Sequence, residues 1–272
     1  MKNKTIADKS AGLLSTLHEH EQEFFTLKEA TGLLEANETA ARKLLSNMVK
    51  RGLLMRIKDG LYHIIPYQAK AETYQPDRHL AAAHLVAPAE YYIGYYSALE
   101  IYSLITQPSS LEQVVVNKPF SKKQWKVKHL TVQVIYHNDR HFFGSENTWI
   151  DKFNRVWCSD LEKTFVDCLF KPEYAGGVVE IAKALHKSRA NLQYERLLEY
   201  CQRFDSQSVV KRLGYLMELL EMGAEILQRL HHKRTEAFTA LDPALPPDGK
   251  WSNRWRIREN MDAGTITSSL FT

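Results

Sequence analysis

The sequence predicts an α+β chain: an N-terminal winged helix-turn-helix domain followed by a larger mixed α+β domain. Three observations predict it. Residues 37–50 carry apolar side chains at helical spacing, and Asp59-Gly60 then separates two apolar-alternating runs, the signal of a tight hairpin. Between residues 114 and 137 the apolar period changes to two. From Ser159 to Lys233 it returns to helical spacing.

The N-terminal elements follow in order. Ile6, Leu13, Leu14 and Leu17 predict a first helix over 6–18. Thr26 and Glu29 form a capping box that opens a second short helix, with Leu27, Ala30 and Leu34 inward and Gly32 limiting its length. Asn37 caps a third helix, whose stripe is Ala41, Leu44, Leu45 and Met48 and whose stop is Gly52. A two-residue Asp59-Gly60 loop pairs Ile57 with Tyr62 and Met55 with Ile64, leaving Arg56, Lys58 and His63 on the opposite face. The domain is expected to end at Pro66. Residues 67–78 are polar and read as a linker, and 79–272 as the second domain.

A net charge of +4 is too mild to imply a nucleic-acid partner, but its distribution is informative. Between Asn37 and Lys58 stand Arg42, Lys43, Lys50, Arg51, Arg56 and Lys58 against Glu38 alone. A basic helix followed by a basic hairpin suits the major groove and its flanking phosphates. Lys50, Arg51, Arg56 and Lys58 are expected at phosphates. Arg42, Ser46 and Asn47 are the candidates for base edges, and Thr39 and Lys43 complete the DNA-facing set. One recognition helix reads few bases, so two copies on an inverted repeat of double-stranded DNA are expected. The plainer alternative is a solvated helix face.

In the second domain, RHLAAAHLV and residues 97–105 have helical patterns. Val114 to Val116 and Val127 to His137 read as strands, with Leu130, Val132, Val134 and Tyr136 toward the core. Between them Lys122, Lys123, Lys126 and Lys128 surround Trp125. That cluster suits a phosphate-rich partner or, more simply, a solvated hairpin tip. Ser159 and Glu162 form a second capping box, opening a helix with Leu161, Phe165, Cys168 and Leu169 on one face and Lys163 and Asp167 on another. Helices follow over 178–188, 192–204, 209–220 and 224–233. In a closing strand, Trp255 and Ile257 alternate with a basic face of Arg254, Arg256 and Arg258.

No known catalytic constellation stands out. Cys158, Cys168 and Cys201 are too far apart for a CxxC site, and there is neither a phosphate-binding GxxxxGK[ST] nor an HExxH. His231 and His232 are adjacent, so on a helix they diverge by about 100°. Gly144-Ser145 with Asp151 faintly resembles a nucleotidyltransferase signature, but the second carboxylate needed to hold two metals is missing and the spacing is short. A non-enzymatic protein without cofactor or metal is expected. No apolar run approaches the ~18 residues of a membrane span, and MKNKTIADKS lacks a signal peptide's apolar core, so a cytoplasmic location is expected.

Five stretches carry a family resemblance: KDGLY (58–62), YYIGYYSALEIYSLI (91–105), DLEKTFVDCLFKPEYAGGVVEIAKAL (160–185), VVKRLGYLMELL (209–220) and LDPALPPDGKWSNRWRI (241–257). The chain resembles the AbiEi-type antitoxins of type IV toxin–antitoxin (abortive infection) systems, most specifically through 160–185. The resemblance implies an N-terminal domain that binds operator DNA and represses its own operon. It also implies a C-terminal antitoxin domain that neutralises a nucleotidyltransferase toxin, with or without direct contact. Lys163, Asp167, Arg254, Arg256 and Arg258 are then the candidate antitoxin surface, although Lys163 and Asp167 also suit an ordinary i,i+4 pair. The competing expectation is a ligand-responsive winged-helix regulator whose second domain senses a metabolite or oligomerises.

Overall fold

The computed structural model of the chain describes residues 8–105 and 107–270. It is a mixed α+β structure, and the chain groups into two compact units. One runs through Pro88 and includes Gln124–Val132; the other comprises Ala89–Lys123 and the chain from Gln133.

The first unit contains α1 (Asp8–Glu19), β1 (Phe24–Thr26), α2 (Leu27–Leu33), α3 (Glu38–Lys50), β2 (Leu54–Lys58), β3 (Leu61–Ile64) and α4 (Arg78–Val86). Ile6 lies outside the described residues. The local signals explain these boundaries. Thr26 and Glu29 close their capping box reciprocally, and α2 ends at Leu34. The Asn37 side chain accepts from the Ala40 N–H at 2.9 Å and opens α3. Gly52 leaves that helix at φ +73°, a conformation with no Cβ penalty for glycine. Leu13, Leu17, Ala30, Ala41, Leu45, Met48 and Tyr62 meet in one apolar core.

The hairpin departs from its expected register. Lys58 does sit opposite Leu61 across Asp59-Gly60, but a bulge between Arg56 and Lys58 shifts the remaining pairs, so Arg56 faces Tyr62 and Met55 faces His63. The shift lets Leu54, Met55 and Ile57 all be buried while Arg56 stays exposed. His63 was expected beside Arg56 on an open face, yet it is buried. Its ring packs 4.4 Å from Phe24 and shares a 2.8 Å hydrogen bond with the Tyr74 hydroxyl. Tyr74 belongs to the stretch read as a linker. Residues 67–88 group with the first unit and cover this second face of the sheet, with Phe24 stacked on His84 and Lys58 donating to the Leu85 carbonyl.

The second unit opens with β4 (Tyr91–Ile93), α5 (Tyr95–Ile101) and β5 (Leu111–Val116). The expected single strand over 127–137 is instead a hairpin, β6 (Gln124–Val127) and β7 (Leu130–Tyr136), turned at Lys128 with φ +55°. Leu130, Val132 and Val134 are buried as expected; Tyr136 is half exposed, and Ile135 is buried in the helix-facing core. A further hairpin, β8 (Ser145–Trp149) and β9 (Arg155–Ser159), had no clear sequence signal. The sheet order is β6-β7-β5-β4-β9-β8, in which β4 pairs antiparallel with β5 and parallel with β9.

Five helices follow: α6 (Leu161–Phe170), α7 (Val178–Ser188), α8 (Tyr194–Phe204), α9 (Gln207–Leu219) and α10 (Ala224–Lys233). The cap of α6 is Asp160 rather than Ser159: its carboxylate accepts from the Lys163 N–H at 2.8 Å, while Ser159 ends β9. α6 packs against α5, α7, α8, α9 and β9, so its whole circumference is covered. The expected single closing strand is instead a hairpin whose turn is residues 253–256, so Arg254, Trp255 and Arg256 lie in the turn and not on a strand face. β10 (Thr239–Ala240), β11 (Lys250–Ser252) and β12 (Ile257–Glu259) form a small sheet, and α11 (Ala263–Ser269) follows. Trp255 anchors this end. Its ring lies so close to Gly214 of α9 that a Cβ there would come within 2.0 Å of it.

Candidate nucleic-acid interface and a buried polar network

The face of α3 opposite its apolar stripe is open. Thr39, Arg42, Lys43, Ser46, Asn47 and Lys50 are all exposed, because the inward positions Ala41, Leu45 and Met48 take the core. Arg56 on β2 is exposed and Arg51 is half-buried. Among the described residues, no ion pair or side-chain hydrogen bond engages Lys43, Lys50, Arg51 or Arg56. Four cationic groups therefore remain available to an external anion.

Two of the expected contacts are used within the unit. Arg42 donates to Glu38 at 2.8 Å and to Asp59 at 3.4 Å, joining the first turn of α3 to the hairpin tip. It is a strut between helix and hairpin before it is a reader of bases, and the exposed pair adds little stability. The Lys58 ammonium donates to the Leu85 carbonyl at 2.6 Å, and burial pushes its pKa down. Lys128 is likewise engaged, donating to the Tyr74 carbonyl at 3.0 Å and to that of Ala71.

The second unit corrects the expected surface. Lys163 and Asp167 are fully buried, because the helix face they share is covered as completely as the apolar face. They form a close ion pair. The Lys163 ammonium also donates to the Tyr92 hydroxyl at 2.9 Å, and that hydroxyl donates to the other Asp167 oxygen at 2.9 Å. His137 lies 3.1 Å from the Tyr92 hydroxyl through Nδ1 and 2.8 Å from the Tyr95 hydroxyl through Nε2. One proton arrangement satisfies all four groups: Tyr95 donates to Nε2, Nδ1–H donates to Tyr92, and Tyr92 donates to Asp167. The aromatic rings of Tyr92, Phe143 and Phe204 surround the ammonium at 5.1–5.2 Å. Next to the network, Asp160 accepts from Arg196 at 2.6 Å and from Tyr200 at 2.8 Å.

Burial pushes the Lys163 ammonium below the usual lysine range, against the opposing pull of Asp167. Desolvation brings His137 down to about 4, and His63 in the first unit to about 4 as well. Both histidines are therefore folded in the neutral form. Their stabilisation is fully present above pH ~6.5 and is lost as pH falls toward 4, where the unfolded chain binds the extra protons. Urea midpoints are expected to drop steadily between pH 7 and pH 5, and a flat midpoint over that interval would contradict the burial of both rings.

With every member at most 2% exposed, the network holds no open position for a substrate. Its signal in the sequence was Lys163 and Asp167 four apart in a helix where Leu161, Phe165, Val166, Cys168, Leu169 and Phe170 are apolar. Neither Tyr92, Tyr95 nor His137 was singled out. The basic face at the C-terminal end is also largely satisfied. Arg254 pairs with Glu218 at 2.7 Å, Arg256 pairs with Glu236, and Arg258 donates to the Pro247 carbonyl at 2.6 Å. Of the three only Arg254 is exposed. Asp151 accepts from the Phe153 and Asn154 N–H groups and so shapes the β8–β9 turn, which is a structural role. That hairpin exposes Trp149, Phe153 and Trp157, with Arg155 stacked 3.8 Å above Trp149.

No family model matches the chain, and no curated protein matches it. Among solved structures, it is similar to the RV2827C protein from Mycobacterium tuberculosis, at 17% identity and a TM-score of 0.70. The match covers 94% of this chain and 92% of that one, and at this identity it shows a shared fold.

Proposed function

We propose that the chain is the antitoxin of a type IV toxin–antitoxin system. It binds operator DNA through its first unit to repress its own operon, and it opposes a nucleotidyltransferase toxin in the cytoplasm through its second unit. The observation that carries the DNA half is the open face of α3, with Lys43, Lys50, Arg51 and Arg56 uncompensated beside a hairpin that Arg42 ties to the helix. The succession α1, α2, α3, β2, β3, with β1 added to the hairpin, supports reading this unit as a winged helix-turn-helix. In this reading α3 enters the major groove, and two copies occupy an inverted repeat.

The antitoxin half rests on the resemblance carried by residues 91–105, 160–185, 209–220 and 241–257. Those residues supply α5, α6, much of α7, and α9, the buried frame of the second unit. Because Lys163 and Asp167 are enclosed, the surface that opposes the toxin lies elsewhere. Arg254 and the aromatic hairpin of Trp149, Phe153 and Trp157 are its exposed candidates. Where the adjacent gene encodes a nucleotidyltransferase, as this reading requires, co-expressing the full chain with it is expected to restore growth. A culture that stays arrested, with both proteins detected in the soluble fraction, rejects the antitoxin reading. A gel shift on the operon's own promoter tests the DNA half separately.

A further inference from the structure

The first unit has a second concave feature, away from the open face of α3. A groove of about 650 Å³ is lined by residues from the end of α1, the turn after it, and the chain around β3. Its walls are Leu14, Leu53, Ile64, Ile65 and the rim residue Tyr67. The volume is within the ~300–1,000 Å³ of small-molecule sites, and an apolar lining with a few polar groups at one edge is their usual composition. The polar edge has one sign. Glu21 and Glu23 stand at the rim, neither has a cationic partner among the described residues, and no lysine or arginine lines the groove.

We propose that this groove binds a small lipophilic cation, its apolar body on Leu14, Leu53 and Ile64 and its positive charge toward Glu21 and Glu23. Burying apolar surface supplies the drive, and the carboxylates select the charge. A lipophilic anion would meet two like charges, and a strongly hydrated cation would gain nothing from the walls. The site is distinct from the proposed DNA-facing surface and does not depend on the antitoxin reading.

Calorimetric titration of the full chain with tetraphenylphosphonium tests the assignment, with triphenylphosphine oxide as the neutral probe of similar shape. Both titrations are run at pH 8 in the same buffer. One phosphonium per chain is expected, bound at least ~10-fold more tightly than the oxide. The Glu21→Gln/Glu23→Gln double variant, changed only at exposed positions, is expected to erase that ratio while keeping the oxide affinity. Leu14→Trp is expected to remove binding of both probes, and Tyr67→Ala to weaken both. Equal affinity of the unaltered chain for the two probes, or phosphonium binding untouched by either the Gln or the Trp substitutions, overturns the proposal.

Discussion

Lys163→Met is expected to destabilise the protein by about 3–5 kcal/mol, the cost of leaving one member of a buried ion pair without its partner. The methionine fills much of the lysine's volume, so little of the loss comes from a cavity. What remains is the Asp167 carboxylate at 0% exposure, still accepting from Tyr92 but without its cation. Asp167→Leu is expected to cost a similar amount, because it strands the ammonium among the rings of Tyr92, Phe143 and Phe204. The informative measurement is the double variant Lys163→Met/Asp167→Leu. Removing both charges together avoids an uncompensated ion, so its loss in urea unfolding should be well below the sum of the two single losses. If the losses simply add, the pair is not coupled as the geometry requires. The network would then be held by its tyrosine hydrogen bonds rather than by charge.

The same pair shows where sequence reasoning stopped. Period placed α3, α6 and α7, capping opened α3 at Asn37, and the Asp59-Gly60 pair placed the turn, because each depends on neighbours within one or two turns of chain. The helix period also assigned Leu161, Phe165, Cys168 and Leu169 to a buried face. It could not reveal that the opposite face is buried too, since that depends on β4 and on His137 and Phe204, far away in sequence. A polar pair four apart is the usual mark of a solvated face. Here the chain covers it and satisfies it with Tyr92. His63 was misplaced for a similar reason: the hairpin was read as having an open face, whereas Phe24 and Tyr74 close over it. The bulge at Ile57 goes with that second covered face, since Leu54, Met55 and Ile57 are all buried.

The candidate DNA-facing residues were legible because exposure on α3 follows from its own amphipathic pattern. Their side-chain partners were not, and this separates the expected effects. Lys43→Ala/Lys50→Ala is expected to weaken operator binding on every sequence and to lower the slope of log affinity against log salt by about 2, since each lost phosphate contact removes ~0.9. Asn47→Ala should act differently, costing about 1–3 kcal/mol on the operator and little on unrelated DNA if its amide reads a base edge. Lys58→Ala should leave the salt slope nearly unchanged, because that ammonium is bonded to the Leu85 carbonyl. Arg42→Ala should show an intermediate loss, because it frees the hairpin tip from α3 without removing an uncompensated charge. Affinities measured by fluorescence anisotropy across a salt series would separate these cases. A Lys58→Ala slope that falls by ~0.9, the share of one full phosphate contact, would place the hairpin at the phosphates. An unaltered slope in the Lys43/Lys50 variant would remove α3 from the interface.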